Sequence, residues 1–440
     1  MSFLGKIFNK GPKPIIAKSH EGNLDSLRAN RAGPQSPGAV KKPDVFYVTA
    51  SVELGNTTTK CIVMATNLNT SECYLLNKTV KMTRDIRPPK PNEEVFGKTV
   101  WGIELSKEAV ADLIKDTVLE SLKKAHVDKD NDLDFVVRST GVTAGFATAE
   151  EAGQLVIALA DGCLDAGIPP RKMSPAMSVS QLPERLQKHS LLNNVMFDGA
   201  VVSVVPPKGK ETVANEMEGE LVTAGIKLGA KWTDVDYRNP CISLDFGSTL
   251  AGRIVNDNQP YANTVGNFLG LAGVVSDSLA RGSGEIDKNN GAALDLYSDK
   301  LIKKANTKKA QANAEEAHKL IDIRKVPMDV DRFGTVPLDP VASENAGTTL
   351  IGCDVGVNGD KLEDLMDLGA KFYDRDGLPT LLSTMDYVST KIVTRALDVA
   401  FEENVVTPGS ALGITGRAGI TGRKPQLILE AVQDLSLIHI

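Results

Sequence analysis

Residues 45–65 and 242–255 carry the same device twice. In each, a β-rich apolar run ends in an acid, the chain turns through a glycine and several hydroxyl residues, and a second apolar run leads away. The two stretches read VELGNTTTKCIVMA around Glu53 and SLDFGSTLAGRIV around Asp245, with the acids 192 positions apart. Apolar runs on either side of a Gly/Asn/Thr or Gly/Ser/Thr turn predict a β-hairpin. A chain that opens each of its halves with one hairpin type is expected to be a duplicated fold, with one site gripped between the two turns. Gly55, Asn56, Thr57, Thr58 and Thr59 in the first turn, and Gly247, Ser248 and Thr249 in the second, offer closely spaced amides and hydroxyls, which suit phosphate oxygens. Lys60 adds a cation. Glu53 and Asp245 can hold hydrated magnesium beside such an anion. The plainer role for either acid is a strand-end carboxylate satisfying turn amides.

A third element follows near the C-terminus, ALGITGRAGITGRKPQLILEAV. A strand over 411–414 runs into Gly416, Gly419 and Gly422, then Arg423, Pro425 and an apolar helix. Glycines after a strand let a flat purine or ribose lie against the backbone, and Pro425 suits a first helical turn. Neither GxxxxGK[ST] nor a strand-linked GxGxxG is present, so P-loop and Rossmann architectures are excluded.

Between these motifs, apolar residues at three- and four-residue spacing predict a helix over 108–125, and 133–143 reads as a buried strand. Thr148 with Glu151 forms a capping box for a helix ending at Gly167. Alternating strands and helices give an α/β class. With 440 residues, 42% of them hydrophobic, two domains are expected: 43–240 and 241–434. Residues 288–346 are polar, with a Lys/Ala/Glu helix over 299–323, and read as a surface insertion. A long apolar-striped helix covers 380–403. The glycine-rich 266–280 segment either approaches the site or forms a Gly/Ala-packed helix.

Charge and cysteine usage narrow the partners. Fifty basic against 56 acidic residues give a net −6, which argues against nucleic acid or an anionic membrane as the main partner. Residues 1–42 hold eight cations against Glu21 and Asp25, a net +6 that leaves −12 for the body; with four prolines and no periodicity they read as a flexible basic tail. Residues 435–440, LSLIHI, read as a translated sequencing adapter at the end of a broken reading frame. Five separated cysteines suggest neither a disulfide framework nor a metal pair, and hence a reducing cytoplasm. No run of about 20 apolar residues offers a membrane span. His126, His189 and His318 pair with no nucleophile and are expected to be solvated.

The ordered triple of two hairpins and a glycine turn resembles the phosphate 1, phosphate 2 and adenosine motifs of the actin, sugar kinase and heat-shock chaperone ATPase superfamily. GNTTTK is similar to the diol-dehydratase reactivase and acyl-CoA-dehydratase activator branch, although the activators' iron–sulfur cysteines are absent. From VELGNTTTKCIVMA through RSTGVTAGFATAEEAGQLV and DFGSTLAGRIV to TVGNFLGLAGVVSDS, residues 43–434 resemble methanogenesis marker protein 14, a reactivase-like family of methanogenic archaea. The resemblance implies a two-domain actin-like (ribonuclease H-like) ATPase fold with duplicated mixed sheets, binding ATP and Mg. Glu53 and Asp245 would hold magnesium through waters and orient the attacking water, with Glu53 standing where Asp is usual.

Three functions follow as expectations. The first is a slow ATPase that activates or reactivates a methanogenesis enzyme, such as methyl-coenzyme M reductase or a corrinoid methyltransferase. The second is a small-molecule kinase, which needs a general base facing a substrate hydroxyl that the sequence does not supply. The third is a nucleotide-dependent filament or scaffold.

Overall fold

The computed structural model describes residues 13–29, 45–140, 149–173, 200–202, 216–258, 262–287, 289–334, 336–433 and 438–439. The chain is a mixed α/β protein built on two mixed sheets. The first contains β1 (His20–Glu21), β2 (Phe46–Leu54), β3 (Thr58–Asn67) and β4 (Cys73–Met82). A side hairpin, β5 (Val95–Lys98) and β6 (Glu104–Ser106), precedes β7 (Phe135–Thr140) and β8 (Ala200–Val202). β2, β3 and β4 form an antiparallel meander, and β7 and β8 add in parallel on the β2 side, giving the order β1-β4-β3-β2-β7-β8.

The second sheet repeats this plan. β9 (Cys241–Phe246), β10 (Thr249–Val255) and β11 (Thr264–Leu271) are antiparallel. Beyond β11 come β12 (Ile321–Lys325), the small hairpin β13 (Arg332–Phe333) and β14 (Val336–Pro337), and β15 (Thr349–Val355). β16 (Ala411–Thr415) pairs in parallel with β9, and β17 (Ile438–His439) with β16. The order is β12-β15-β11-β10-β9-β16-β17. In both sheets the first strand of the three-strand meander lies inside the sheet, flanked on its free side by later strands that add in parallel.

Parallel addition needs a crossover, and amphipathic helices supply it. The Lys107–Ala125 helix starts at Ser106, whose hydroxyl accepts from the Ala109 amide, and ends at His126 with φ 57°. It buries Val110, Ile114, Val118 and Leu122 against the side of β2 that carries Val48, Ala50 and Val52. Period two then leaves Thr49, Ser51 and Glu53 on the opposite face, half-buried.

Several expectations change. Within 1–42, residues 13–29 are not a loose tail: β1 pairs with β4, and the helix Leu24–Ala29 buries Leu24 completely, because an apolar side chain outweighs the surrounding charge. Residues 288–346 are not a mere surface insertion. Their predicted helix divides into Asp299–Ile302 and Thr307–His318, and β12 then joins the main sheet with Ile321 and Ile323 in the core. His318 is buried, 7% exposed, within hydrogen-bonding distance of the Val388 carbonyl and Arg395; burial pushes its pKa down to about 4.

The 266–280 stretch is first β11 and then the helix Gly273–Gly282. The long helix runs Leu362–Glu402, interrupted at Gly377 (φ 76°, ψ 167°) just before Pro379. The helix Glu216–Ala230 packs on β9 and β10, so a boundary at 240 assigns it to the wrong sheet. Ile438–His439 lies beside Ala411–Leu412. Thr148, His189 and residues 435–437 lie outside the described residues.

Candidate functional site

The two hairpin turns face each other. Glu53, the last residue but one of β2, lies directly opposite Lys60 on β3, and their side chains form a 2.9 Å ion pair. Gly55 closes the turn by accepting strain-free proximity: its amide donates to the Thr58 carbonyl at 3.1 Å, and a Cβ there would sit 2.8 Å from that oxygen. In the second turn the Gly247 amide donates to the Thr249 carbonyl at 3.1 Å. The carbonyls of Gly247 and Ser248 accept from Ala272, Gly273 and Val274 at the start of the Gly273–Gly282 helix. A Cβ on Gly273 would meet the Gly247 oxygen at 2.4 Å, so the sequence needs glycine where helix and turn touch.

Between the turns lies a cavity of about 100 Å³. Glu53, Gly55, Asn56, Thr57, Thr58 and Lys60 line it from one half; Asp245, Gly247, Ser248, Thr249 and Gly416 line it from the other. Thr59 does not. On a strand of period two it points the opposite way, fully buried, with its hydroxyl 3.0 Å from that of Thr83. The Asn56 side chain accepts from the Val100 amide at 3.0 Å, so its carbonyl oxygen anchors the turn to the neighbouring loop.

Asp245 lies at the end of β9 beside Thr415 of β16. Burial, with a contribution from the charge of Glu53 and an opposing one from Lys60, pushes its pKa up to about 6. The three glycines of the third motif have different jobs. Gly416 (φ 88°) passes so close to Asp245 that a Cβ would lie 2.4 Å from its Oδ1. Gly419 packs on Ile414 and Phe246, and Gly422 (φ 69°) on Asp386 and Tyr297. Close packing inside the second half, rather than an open face for a flat ligand, accounts for these last two.

Four residues at the site escaped the sequence reading. Asp277 and Lys424 line the cavity, Trp101 reaches it from the β5–β6 turn, and Asp386 stands behind Lys424. Lys424, 1% exposed, donates to Asp386 at 2.9 Å and to the Tyr297 hydroxyl at 3.2 Å, and Asp386 also accepts from the Arg423 amide at 3.0 Å. An acid inside the otherwise apolar stripe of the long helix, and a lysine wedged between Gly422 and Pro425, were the available signals.

A second, apolar cavity of about 730 Å³ adjoins the first. Ile62, Met64, Ile226, Leu412, Ile414 and Ile428 line it, and it shares Glu53 and Asp245 with the polar cavity. The cysteines are free and buried; burial pushes the thiols of Cys61 and Cys163 up to about 11 and 12, which leaves them inert near neutral pH. Among the described residues no helix is long and apolar enough to cross a membrane.

The fold and site define a mixed α/β protein in which paired Gly-hydroxyl turns from two like sheets enclose a small polar cavity flanked by two carboxylates. The chain belongs to the archaeal family described as "Uncharacterized protein conserved in archaea (DUF2114)", which matches residues 46–439. An uncharacterized protein of Methanothermobacter thermautotrophicus is 63% identical over 437 residues, covering 99% of this chain and 82% of that protein. Another, of Methanocaldococcus jannaschii, is 56% identical over 431 residues, covering 98% and 86%. Among solved structures, gluconate kinase from Lactobacillus acidophilus aligns with 87% of this chain and 84% of its own at 10% identity and a TM-score of 0.33.

Proposed function

We propose that this protein is a two-domain actin-like ATPase of the methanogenesis marker protein 14 type, which binds magnesium–ATP and hydrolyses it slowly to activate or reactivate a partner enzyme of methanogenesis. The observation that carries the reading is the facing pair of turns: their amides and the hydroxyls of Thr57, Thr58, Ser248 and Thr249 surround one cavity, with Glu53 and Asp245 at its edge. The donor set fits the ligand. Hydroxyls and amides suit phosphate oxygens, and two carboxylates suit a hard divalent cation held through water. A nucleoside would extend past Gly416 and Arg417, which line the same cavity.

Magnesium, when bound, would neutralise phosphate charge and lower the barrier to attack by water. This chain's residues would do the rest. Lys60 holds Glu53 in place, the turns orient the phosphoryl group, and Asp245 as a carboxylate orients the attacking water. The methanogen relatives support the metabolic context, and methyl-coenzyme M reductase or a corrinoid methyltransferase is the partner we would test first. Calorimetry with magnesium–ATP and magnesium–GTP should show binding, and Asp245→Asn should abolish hydrolysis while keeping most of the affinity. Well-folded protein that binds neither nucleotide would overturn the reading.

One observation favours a second reading, a small-molecule kinase. The apolar cavity meets the polar one at Asp245, so an acceptor with an apolar body could present a hydroxyl to that carboxylate. Stoichiometric phosphorylation of a small acceptor, without any effect of partner proteins on ATP turnover, would select it.

A further inference from the structure

The seam between the halves is closed by hydrogen bonds inside the cavity itself. Thr57, 8% exposed, belongs to the first turn, yet its hydroxyl lies 3.1 Å from that of Ser248 and 3.2 Å from Asp277 Oδ2, both in the second half. The Trp101 indole N–H donates to the same Thr57 oxygen at 3.2 Å, and the Trp101 ring stacks on the Arg281 guanidinium at 3.9 Å. Asp277, 6% exposed, uses its other oxygen to accept from the Ala293 amide at 2.8 Å.

Donor counting fixes the direction of this chain. An ionised carboxylate only accepts, an indole N–H only donates, and a hydroxyl gives one proton. Thr57 therefore donates to Asp277 and accepts from Trp101, which leaves Ser248 as donor to Thr57. Both hydroxyl protons are thereby committed within the protein. A phosphate oxygen is also only an acceptor, so an arriving phosphoryl group must compete with Thr57 for the proton of Ser248.

We propose that Asp277 is the positioning residue of this site: by drawing the Thr57 proton it orients the Thr57–Ser248 pair as a latch across the two halves, which phosphate must unfasten in order to bind. The proposal rests on the reading of this cavity as a phosphate site. It makes occupancy and the joint between the halves two sides of one exchange, since the proton that greets the ligand is the one that held the seam.

The test is a double-mutant cycle read as affinity for pyrophosphate with magnesium, measured by calorimetry on the full chain. In Asp277→Asn the amide oxygen stays on the Ala293 N–H, and its NH₂ group faces Thr57 as a donor. Thr57 then sends its proton to Ser248, and Ser248 is free to donate to the ligand. One hydroxyl hydrogen bond gained should tighten binding about fivefold. Removing a negative charge also favours an anion, but that part persists in a Thr57→Val background, where the hydroxyl chain is absent. The tightening caused by Asp277→Asn should therefore be at least about threefold larger with Thr57 present than with Val there. Equal factors in the two backgrounds, or weaker binding in Asp277→Asn alone, would overturn the proposal. Should the wild-type chain bind neither pyrophosphate nor magnesium–ATP, the proposed function falls instead. The exchange with phosphate falls with it, and urea unfolding of the same four proteins then reads only the link between the halves: coupled losses of stability show that Asp277 and Thr57 fasten the seam, and additive ones refute that as well.

Discussion

Replacing Lys424 with methionine should destabilise the protein severely, and removing its partner as well should restore much of the loss. Lys424 and Asp386 are 1% and 0% exposed, their charged atoms are 2.9 Å apart, and the ammonium also lies 4.3 Å from the centre of the Tyr297 ring. Burial lowers the Lys424 pKa, while the ion pair with Asp386 opposes that shift; the adjoining Tyr297 hydroxyl, which burial keeps protonated, is neutral and supplies no positive charge once the ammonium is gone. Lys424→Met keeps the length of the stem but leaves the Asp386 carboxylate buried, with the Arg423 amide as a neutral donor. Breaking a buried pair this way costs about 3–5 kcal/mol, whereas replacing both charges by neutral groups costs far less. Lys424→Met with Asp386→Asn should therefore lose only about 1–2 kcal/mol, since the amide oxygen still accepts from Arg423. Urea unfolding followed by intrinsic fluorescence would measure both. A single variant within about 1 kcal/mol of wild type, or a double variant as unstable as the single one, would refute the account of this cluster as a charge pair that must be kept or removed whole.

Asp245 gives a pH dependence of known sign. Its carboxyl is raised from 3.8 to about 6 in the folded state, so the stability it contributes is complete below the unfolded value and is lost as pH rises to about 6. In metal-free buffer Asp245→Asn should be more stable than wild type at pH 7.5 by roughly 2–3 kcal/mol, with the gap closing towards pH 4 in thermal melts; a gap that does not change with pH would contradict the burial argument. Gly416→Ala should cost more than about 3 kcal/mol, because strain at φ 88° adds to a clash with Asp245 and the Phe246 carbonyl. Gly102→Ala has φ 75° with nothing within 4 Å of the new Cβ, and should show the strain alone, about 1 kcal/mol in the same unfolding assay. His318→Leu should remove a group that burial holds neutral; wild type should lose stability relative to it as pH falls towards 4, where the folded imidazole finally titrates.

The parts of the fold that were legible in the sequence are those where one local period dominates. β2 and β3 alternate along their whole length and the Lys107–Ala125 helix keeps its apolar stripe, while β9 and β10, buried along most of their length, were marked by the turn between them. The polar stretch after residue 288 misled because its contribution to the core is small and scattered: Ala310, Ala314 and Ala317 on one helix, then Ile321 and Ile323 two residues apart on a strand. Alanines on a lysine- and glutamate-rich helix read as a solvated surface, and only the neighbouring helix, packed close, gives them a core. Leu24 failed to stand out for a similar reason, since a single buried leucine in a basic segment has no periodic company.

The site divides along the same line between local and long-range information. The hairpin turns were legible because a turn is local: its acid, glycine and hydroxyls are consecutive in sequence. The residues that give the cavity its electrostatic character are not. Asp277 acquires a partner 220 positions away, and Lys424 one 38 positions away. Glycine spacing was also ambiguous, since Gly416, Gly419 and Gly422 look alike in sequence while one faces Asp245 and two are filled from behind by Phe246, Tyr297 and Asp386. What a sequence can offer at such places is a mismatch: an acid in a helix stripe that should be apolar, as at Asp386 and Asp277. A buried charge needs a compensating partner, so each such mismatch predicts a contact even before the contact can be named, and in this chain both mismatches lead to the same cavity wall.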